Sequence, residues 1–277
     1  MIGTTISHYN ILEKLGEGGM GVVYKAEDTR LHRHVALKIP SKTVLADEDM
    51  QSRFLNEARM AAAFLHQNIA VLHDIGEHEG KPFLVMEYVE GDTLRALTRS
   101  GPVSIDRLLH LGIQICSALD AVHEKNVMHR DIKTDNILLT KKDQIKLADC
   151  GLAARFVARE GLAERLGQDG TLPYMSPEQI RGEKLDQRSD IFSLGVVLYE
   201  LLTGALPFEA RPLAALQYLI IHADPAPLQN FRNDVPPQLV QVVSRALEKD
   251  RDKRYQHAKD ILHDLQKIVF DREGKSE

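Results

Sequence analysis

Long apolar runs are missing from this chain: nothing approaches the roughly 20 residues that a membrane-spanning helix needs. The N-terminal stretch 1–10 lacks both the basic and the apolar segments of a secretory signal. No membrane contact is expected of this segment itself. Cysteine is scarce. The two present, Cys116 and Cys150, have no partners at metal-like spacing. That argues against a disulfide scaffold or a zinc module and suits a reducing, cytoplasmic setting. Strong charge of one sign is also absent: the net charge is −5, with both signs interspersed, so nucleic acid is not an expected partner. No internal repeat or low-complexity block is apparent. What remains is 277 residues, 43% of them hydrophobic, enough for one large domain or two lobes.

The first third reads as strands with one helix. Strand-like runs at 9–15, 22–27 and 34–40 precede a long Ala-, Leu-, Met- and Glu-rich stretch, 48–65, free of Gly and Pro, which predicts a helix. Two more strand-like runs follow at 71–77 and 82–89. Beyond Gly91 the character changes to helices: 104–125 with Ser104 as N-cap, 190–203 ended by Gly204 and Pro207, 237–249 and 257–270. A small β-rich lobe is therefore expected to meet a helical one near residues 89–91, with the cleft as the default ligand site. The polar stretch 271–277 reads as a tail or linker stump, so the chain is expected to be a domain cut from a longer protein.

Four stretches carry chemistry. Gly16-Glu17-Gly18-Gly19-Met20-Gly21-Val22-Val23 fits G-x-G-x-x-G-x-V, in which missing Cβ atoms let backbone N–H groups approach phosphate oxygens. A strand rather than a helix follows, which argues against a dinucleotide fold and for a hairpin flap; no Gly-Lys-Ser/Thr follows either, which excludes a Walker A loop. Val35-Ala36-Leu37-Lys38 sets a lysine late in a strand, and Glu57 in the next helix could pair with it. Finally, His129-Arg130-Asp131-Ile132-Lys133-Thr134-Asp135-Asn136 and Asp149-Cys150-Gly151 supply a carboxylate able to take a hydroxyl proton, plus an amide and a second carboxylate able to hold Mg²⁺. That is the equipment of phosphoryl transfer, which depends on positioning and charge neutralisation.

In this order, together with Ser176-Pro177-Glu178, Ser189-Asp190-Ile191 and Arg254, these motifs resemble the catalytic domain of eukaryotic-type (Hanks-type) protein kinases, most like the bacterial serine/threonine kinases. The resemblance covers residues 8–270. It implies an α+β, bilobal protein-kinase-like fold, with a small β-rich N-lobe with one helix over about 8–89 and a larger helical C-lobe over about 90–270. It implies ATP with Mg²⁺, or alternatively Mn²⁺, and protein substrates bearing Ser or Thr. By resemblance, Gly16, Gly18 and Gly21 cover the phosphates, and Lys38, held by Glu57, contacts them. Val23, Ala36 and Leu138 sandwich adenine, Glu87 and Val89 bond it, and Met86 guards the back pocket. Asp131 is the base and Lys133 stabilises the transferring phosphoryl. Asn136 and Asp149 hold the metal, and Thr171 bridges Asp131 and Lys133. Glu178 pairs with Arg254, and Asp190 braces the loop containing Arg130. Lys133 and Gly170-Thr171 imply Ser/Thr rather than Tyr substrates. The alternatives, a pseudokinase and a small-molecule phosphotransferase, are disfavoured by the intact Lys38, Asp131, Asn136 and Asp149 and by Ser176-Pro177-Glu178 with Arg254.

The chain departs from the pattern in three places. Cys150 stands where Phe is usual, and with the small Ala61 it predicts space under the Glu57 helix. Thr134 replaces a common Pro and reads as a tolerated change. Residues 152–170 contain no Ser, Thr or Tyr, so loop phosphorylation before Thr171 is excluded. The usual acceptor position falls on Gly167. Control is expected from a homodimer, from a partner holding the Glu57 helix, or from an acidic side chain facing Arg130, Asp169 first and Glu164 second. Phe156, Leu162 and Leu166 could line a short helix there. Autophosphorylation is expected outside the segment, for example at Thr4, Thr5, Ser41 or Thr43. By the same resemblance, the domain is expected in the cytoplasm, either by itself or as the cytosolic part of a larger, membrane-anchored protein.

Overall fold

The computed structural model describes residues 1–19, 21–149 and 170–274, with the side chains of Arg53 and Glu57 left aside. The chain divides into two compact units, Met1–Leu65 with Ile69–Glu90, and His66–Asn68 with Gly91–Glu277. The small unit thus includes residues 1–7, ahead of the N-lobe start read from sequence, and cedes 66–68 to the other unit.

The small unit is built on a six-stranded antiparallel sheet: β1 (Thr5–Ile6), β2 (Tyr9–Gly18), β3 (Gly21–Asp28), β4 (Arg33–Pro40), β5 (Leu72–His78) and β6 (Lys81–Glu87), in the order β1-β2-β3-β4-β6-β5. Strand alternation sorts its side chains onto two faces. One face packs Tyr9, Ile11, Ala26, Val35, Leu37, Phe83 and Val85 into a core. Opposite lie Val23 across from Lys38, and Ala36 across from Met86. Gly76 is required by that core, since a Cβ there would lie 2.2 Å from the Phe83 ring across the strand pair. Two helices follow β4, α1 (Lys42–Leu45) and α2 (Glu48–Ala61). Asp47 caps α2 by accepting the Met50 N–H at 3.1 Å.

The predicted helix 48–65 is therefore shorter than its sequence pattern. Ala63 N–H donates to Met60 and Phe64 N–H to Ala61, so the last turn tightens to i→i−3 bonds. Phe64 then turns inward, while Leu65 is 85% exposed.

The large unit opens with β7 (Gly91–Thr93), which joins β8 (Ile137–Thr140) and β9 (Ile145–Leu147) in a three-stranded sheet. Among its helices are α3 (Leu94–Arg99), α4 (Ile105–His123), α5 (Pro177–Ile180), α6 (Arg188–Thr203), α7 (Leu213–His222), α8 (Pro237–Ala246) and α9 (Ala258–Glu273). Ser104 caps α4 by accepting the Arg107 N–H at 3.3 Å. Helix α6 is buried all round from Ser189 to Leu202, as a central helix is, and mostly apolar. It ends at Gly204, whose φ of 72° is the left-handed conformation glycine adopts without strain. Gly195 lets α8 approach: a Cβ there would lie 2.9 Å from that of Ala246. Helix α9 packs against α4 and runs on to Glu273, past the predicted end at 270, so the start of the expected tail is helical.

Candidate active site

In the small unit the glycine-rich stretch forms the hairpin between β2 and β3, with Gly18 opposite Gly21. Gly21 is demanded by the fold: its φ is 148°, and a Cβ would lie 2.0 Å from the Ile39 carbonyl oxygen. Gly16 and Gly18 are different. A Cβ on either would meet nothing within 4 Å, so packing does not explain why they are glycines. Close approach of a ligand does, and phosphate oxygens reaching for backbone N–H groups fit that description. On the sheet face away from the core cluster, Val23, Ala36, Lys38 and Met86 lie together by register. Lys38 is 4% exposed, an unusual place for an ammonium without a task. The Glu87 carboxylate accepts the Val71 N–H at 3.1 Å and the Glu87 N–H donates to the Val71 carbonyl at 2.8 Å, which fixes the end of β6 before the half-buried Val89. The backbone of Glu57 lies in α2.

In the large unit, the chain between α4 and β8 is held by one carboxylate. Asp190, 1% exposed at the start of α6, accepts the His129 N–H at 2.8 Å, the Arg130 N–H at 2.7 Å and His123 Nε2–H at 2.9 Å. Burial alone would raise its pKa, but these donors and the two imidazoles bring it below the ordinary carboxylate range. Arg130 itself sits at φ 68°, a left-handed conformation costing about 1–3 kcal/mol for a residue other than glycine.

His129 ties the loop to the residue before Asp149. Its Nε2–H donates to the Ala148 carbonyl at 2.9 Å, which leaves Nδ1 to accept the Asp131 N–H at 3.3 Å. The Ala148 N–H in turn donates to the Asn136 carbonyl at 2.9 Å. Asp149 has φ 58°. Asp131, Asn136 and Asp149 are thereby brought together by bonds at each of their neighbours.

The two oxygens of Asp131 have different lives. Oδ2 accepts from Asn136 Nδ2 at 2.8 Å and pairs with Lys133 Nζ at 3.2 Å. Oδ1 is buried and has no hydrogen-bond partner among the described residues. Lys133 Nζ also donates to Thr171 Oγ1 at 2.6 Å, so the link from Thr171 to Asp131 runs through Lys133. Asn136 commits Nδ2 to both the Asp131 carbonyl and carboxylate, which leaves its Oδ1 for a cation. An amide oxygen and the Asp149 carboxylate are a hard donor set, suited to a divalent ion that takes its other ligands from water and phosphate. Leu138 is half-buried on β8.

Below this loop, Glu178 and Arg254 form a bidentate pair at 2.7 and 2.9 Å with side chains 4% and 0% exposed. Ser189 donates to the same carboxylate at 2.8 Å. Gln179 Nε2 donates to the Arg130 carbonyl at 3.1 Å.

Sequence reasoning missed His123 as a partner of Asp190. It also missed a buried set around Glu200, which accepts from Arg95 at 2.9 Å, Thr98 at 3.0 Å and Tyr174, with the Thr134 hydroxyl 3.3 Å away. The available signal was one carboxylate in the otherwise apolar stretch 191–202. Cys150, Phe156, Glu160, Leu162, Glu164, Leu166, Gly167 and Asp169 lie outside the described residues, as does the side chain of Glu57.

The comparisons with known proteins agree with this geometry. The protein kinase domain family model matches residues 9–265, and the chain belongs to that family. The serine/threonine-protein kinase PknB of Mycolicibacterium smegmatis is 41% identical over 267 residues, 94% of this chain and 43% of that protein. A probable serine/threonine-protein kinase of Clostridium acetobutylicum is 37% identical, over 97% of this chain and 41% of its own length. The chain thus spans about two fifths of the length of the curated relatives it matches. The crystal structure of the Mycobacterium tuberculosis PknI kinase domain aligns with a TM-score of 0.75 at 28% identity, covering 96% of this chain and 98% of that one. The fold is that of a protein kinase domain. Membership implies ATP and a divalent metal. No described helix is long and apolar enough to cross a membrane.

Proposed function

We propose that this chain transfers the γ-phosphoryl group of ATP to serine and threonine hydroxyls of proteins, with Asp131 as the base. The observation that carries the reading is the division of labour at Asp131: Oδ2 is immobilised by Asn136 and Lys133, while buried Oδ1 has no hydrogen-bond partner among the described residues. An incoming hydroxyl would donate its proton to Oδ1 as its oxygen forms the new bond to phosphorus. The bond from phosphorus to the bridging oxygen breaks and ADP carries away the electron pair. Lys133, between Asp131 and Thr171, is placed to balance charge on the transferring group. Asn136 and Asp149 would hold the divalent ion, proposed as Mg²⁺ with Mn²⁺ as an alternative. When bound, that ion supplies neutralisation of phosphate oxygens. Gly16, Gly18, Gly21 and Lys38 would serve the phosphates. Val23, Ala36, Met86, Glu87, Val89 and Leu138 would serve adenine. Serine and threonine are favoured over tyrosine by the Lys133–Thr171 bond and by the names of the relatives. Regulation by a homodimer or by a partner on the helix carrying Glu57 is part of the same reading, because residues 152–170 offer no hydroxyl to phosphorylate.

Asp131→Asn tests the assignment. Folding should be kept, and phosphate transfer from labelled ATP to a generic basic protein should fall by about 10²–10⁴, the usual worth of a general base. Transfer near the wild-type rate, with contaminating kinase excluded, would remove Asp131 from the role.

A further inference from the structure

Thr134 occupies the position where proline is common in resembling domains, and its side chain is fully buried at 0% exposure. Its hydroxyl lies 2.8 Å from the Tyr174 oxygen and 3.3 Å from Glu200 Oε2. The protons can be assigned. Glu200 accepts, so Tyr174 O–H donates to Glu200 Oε2. The Tyr174 oxygen is then left to accept, and the Thr134 O–H, which has a single proton, gives it to Tyr174. Burial and the Glu200 charge keep the Tyr174 proton in place far above the ordinary phenol range, so this direction is stable.

The next residue makes a second tie to the same carboxylate. Arg95 Nε reaches Asp135 Oδ2 at 3.3 Å while its Nη1 reaches Glu200 Oε1 at 2.9 Å. Thr98 donates to Glu200 Oε1 at 3.0 Å. Glu200 stands on α6, four-hundredths exposed, and all its described bonds come from these groups.

We propose that Thr134 is a positioning residue that couples the catalytic loop to the segment 171–175 through this hydroxyl relay. The proposal rests on the phosphotransfer reading. Two rungs join the loop to that segment: Lys133 to Thr171, and Thr134 to Tyr174. The first rung sets charge beside Asp131. The second sets the height of the short 3-10 turn Leu172–Tyr174, which leads directly into Met175 and Ser176. A proline at 134 could make the turn but has no hydroxyl to make the rung. In this chain the geometry between base and protein substrate therefore depends on Thr134, whose described hydroxyl partners, Tyr174 and Glu200, both belong to the large unit.

Thr134→Val removes the hydroxyl at nearly constant shape, and Thr134→Ser keeps the hydroxyl and removes the methyl. Initial rates are measured in separate titrations of a generic basic protein substrate and of ATP. Thr134→Val should lower kcat/KM for the protein substrate by about tenfold, the scale of one buried hydrogen bond left unmade. The KM for ATP should move by less than about twofold, and Thr134→Ser should recover most of the loss. In a Tyr174→Phe background, Thr134→Val should add little, because the relay is already cut. Wild-type kinetics in Thr134→Val, an equal loss in Thr134→Ser, or a rise confined to the KM for ATP would each overturn the coupling. If Thr134→Val fails to fold, Tyr174→Phe alone should show the same selective loss, and unchanged kinetics there would overturn it. A wild-type protein with no transfer at all overturns the kinase reading and this proposal with it.

Discussion

Asp190→Asn is the most demanding test of how the catalytic loop is held. The substitution is nearly isosteric, so any effect comes from exchanging one acceptor oxygen for an NH₂ group and removing the charge. In the wild type, Oδ1 accepts the Arg130 N–H at 2.7 Å and Oδ2 accepts the His129 N–H at 2.8 Å and His123 at 2.9 Å. The amide oxygen can serve only one side. If it serves His129 and His123, the amide nitrogen faces the Arg130 N–H, donor against donor. A hydrogen bond to a charged acceptor is worth about 1.5–3 kcal/mol. Arg130, at φ 68°, is held against backbone strain and should relax once released, returning part of the loss. A net cost of about 1–2 kcal/mol follows, or a fall in Tm of roughly 2–8 °C for a unit of this size. Displacing Asp131 by even about 1 Å should cost some 10² in rate. The pH dependence has a definite sign. Asp190 is held below its ordinary value of 3.8 in the folded protein, so its contribution is present above that value and is lost as pH falls toward its folded value. The variant should therefore show a flatter acid limb in Tm against pH. Calorimetry across pH and a phosphotransfer assay read both effects. A Tm and a rate indistinguishable from wild type would refute the bracing role.

Three further outcomes are expected. Arg254→Met should destabilise by about 3–5 kcal/mol in a denaturant titration, because it leaves a buried Glu178 carboxylate and also strips the Glu248, Arg188 and Lys249 carbonyls of donors. Burial raises and the Arg254 bonds lower the Glu178 carboxyl, net below 4.5, so the wild-type advantage over the variant should shrink only in acid. Lys38→Met should reduce turnover strongly while a fluorescent nucleotide still binds; full activity would make Lys38 an ordinary buried strand lysine. Phosphatase treatment should leave basal activity largely unchanged, and mass spectrometry after incubation with Mg-ATP should find modification outside 152–170, with the exposed Thr4, Thr5 and Thr43 as candidates. Silencing by dephosphorylation of Thr171 would contradict that account of regulation.

Legibility in the sequence followed the range of the interactions. The glycine hairpin, the Ser104 cap and the Gly204 stop were readable because each depends on residues within a few positions. The α2 end was not: nothing near Ala61 breaks a helix, and the stop comes from Phe64 turning into the core while Leu65 faces water. Nor was β7, whose partner β8 lies far along the chain and whose Gly91 lets the Leu139 carbonyl pass where a Cβ would sit 1.9 Å away. The Glu200 cluster draws on residues 95, 98, 134 and 174, four places with no common period. A linear pattern registers such a cluster only as anomalies, here one acid in the stretch 191–202 and one threonine in place of proline. Read singly, Thr134 looks like tolerated drift. A hydroxyl at 0% exposure with two oxygen partners is not what drift leaves behind, because an unneeded buried hydroxyl costs about 1–3 kcal/mol wherever its bonds are incomplete. Departures from a family motif at buried positions are therefore better weighed by the partners they meet than by their rarity.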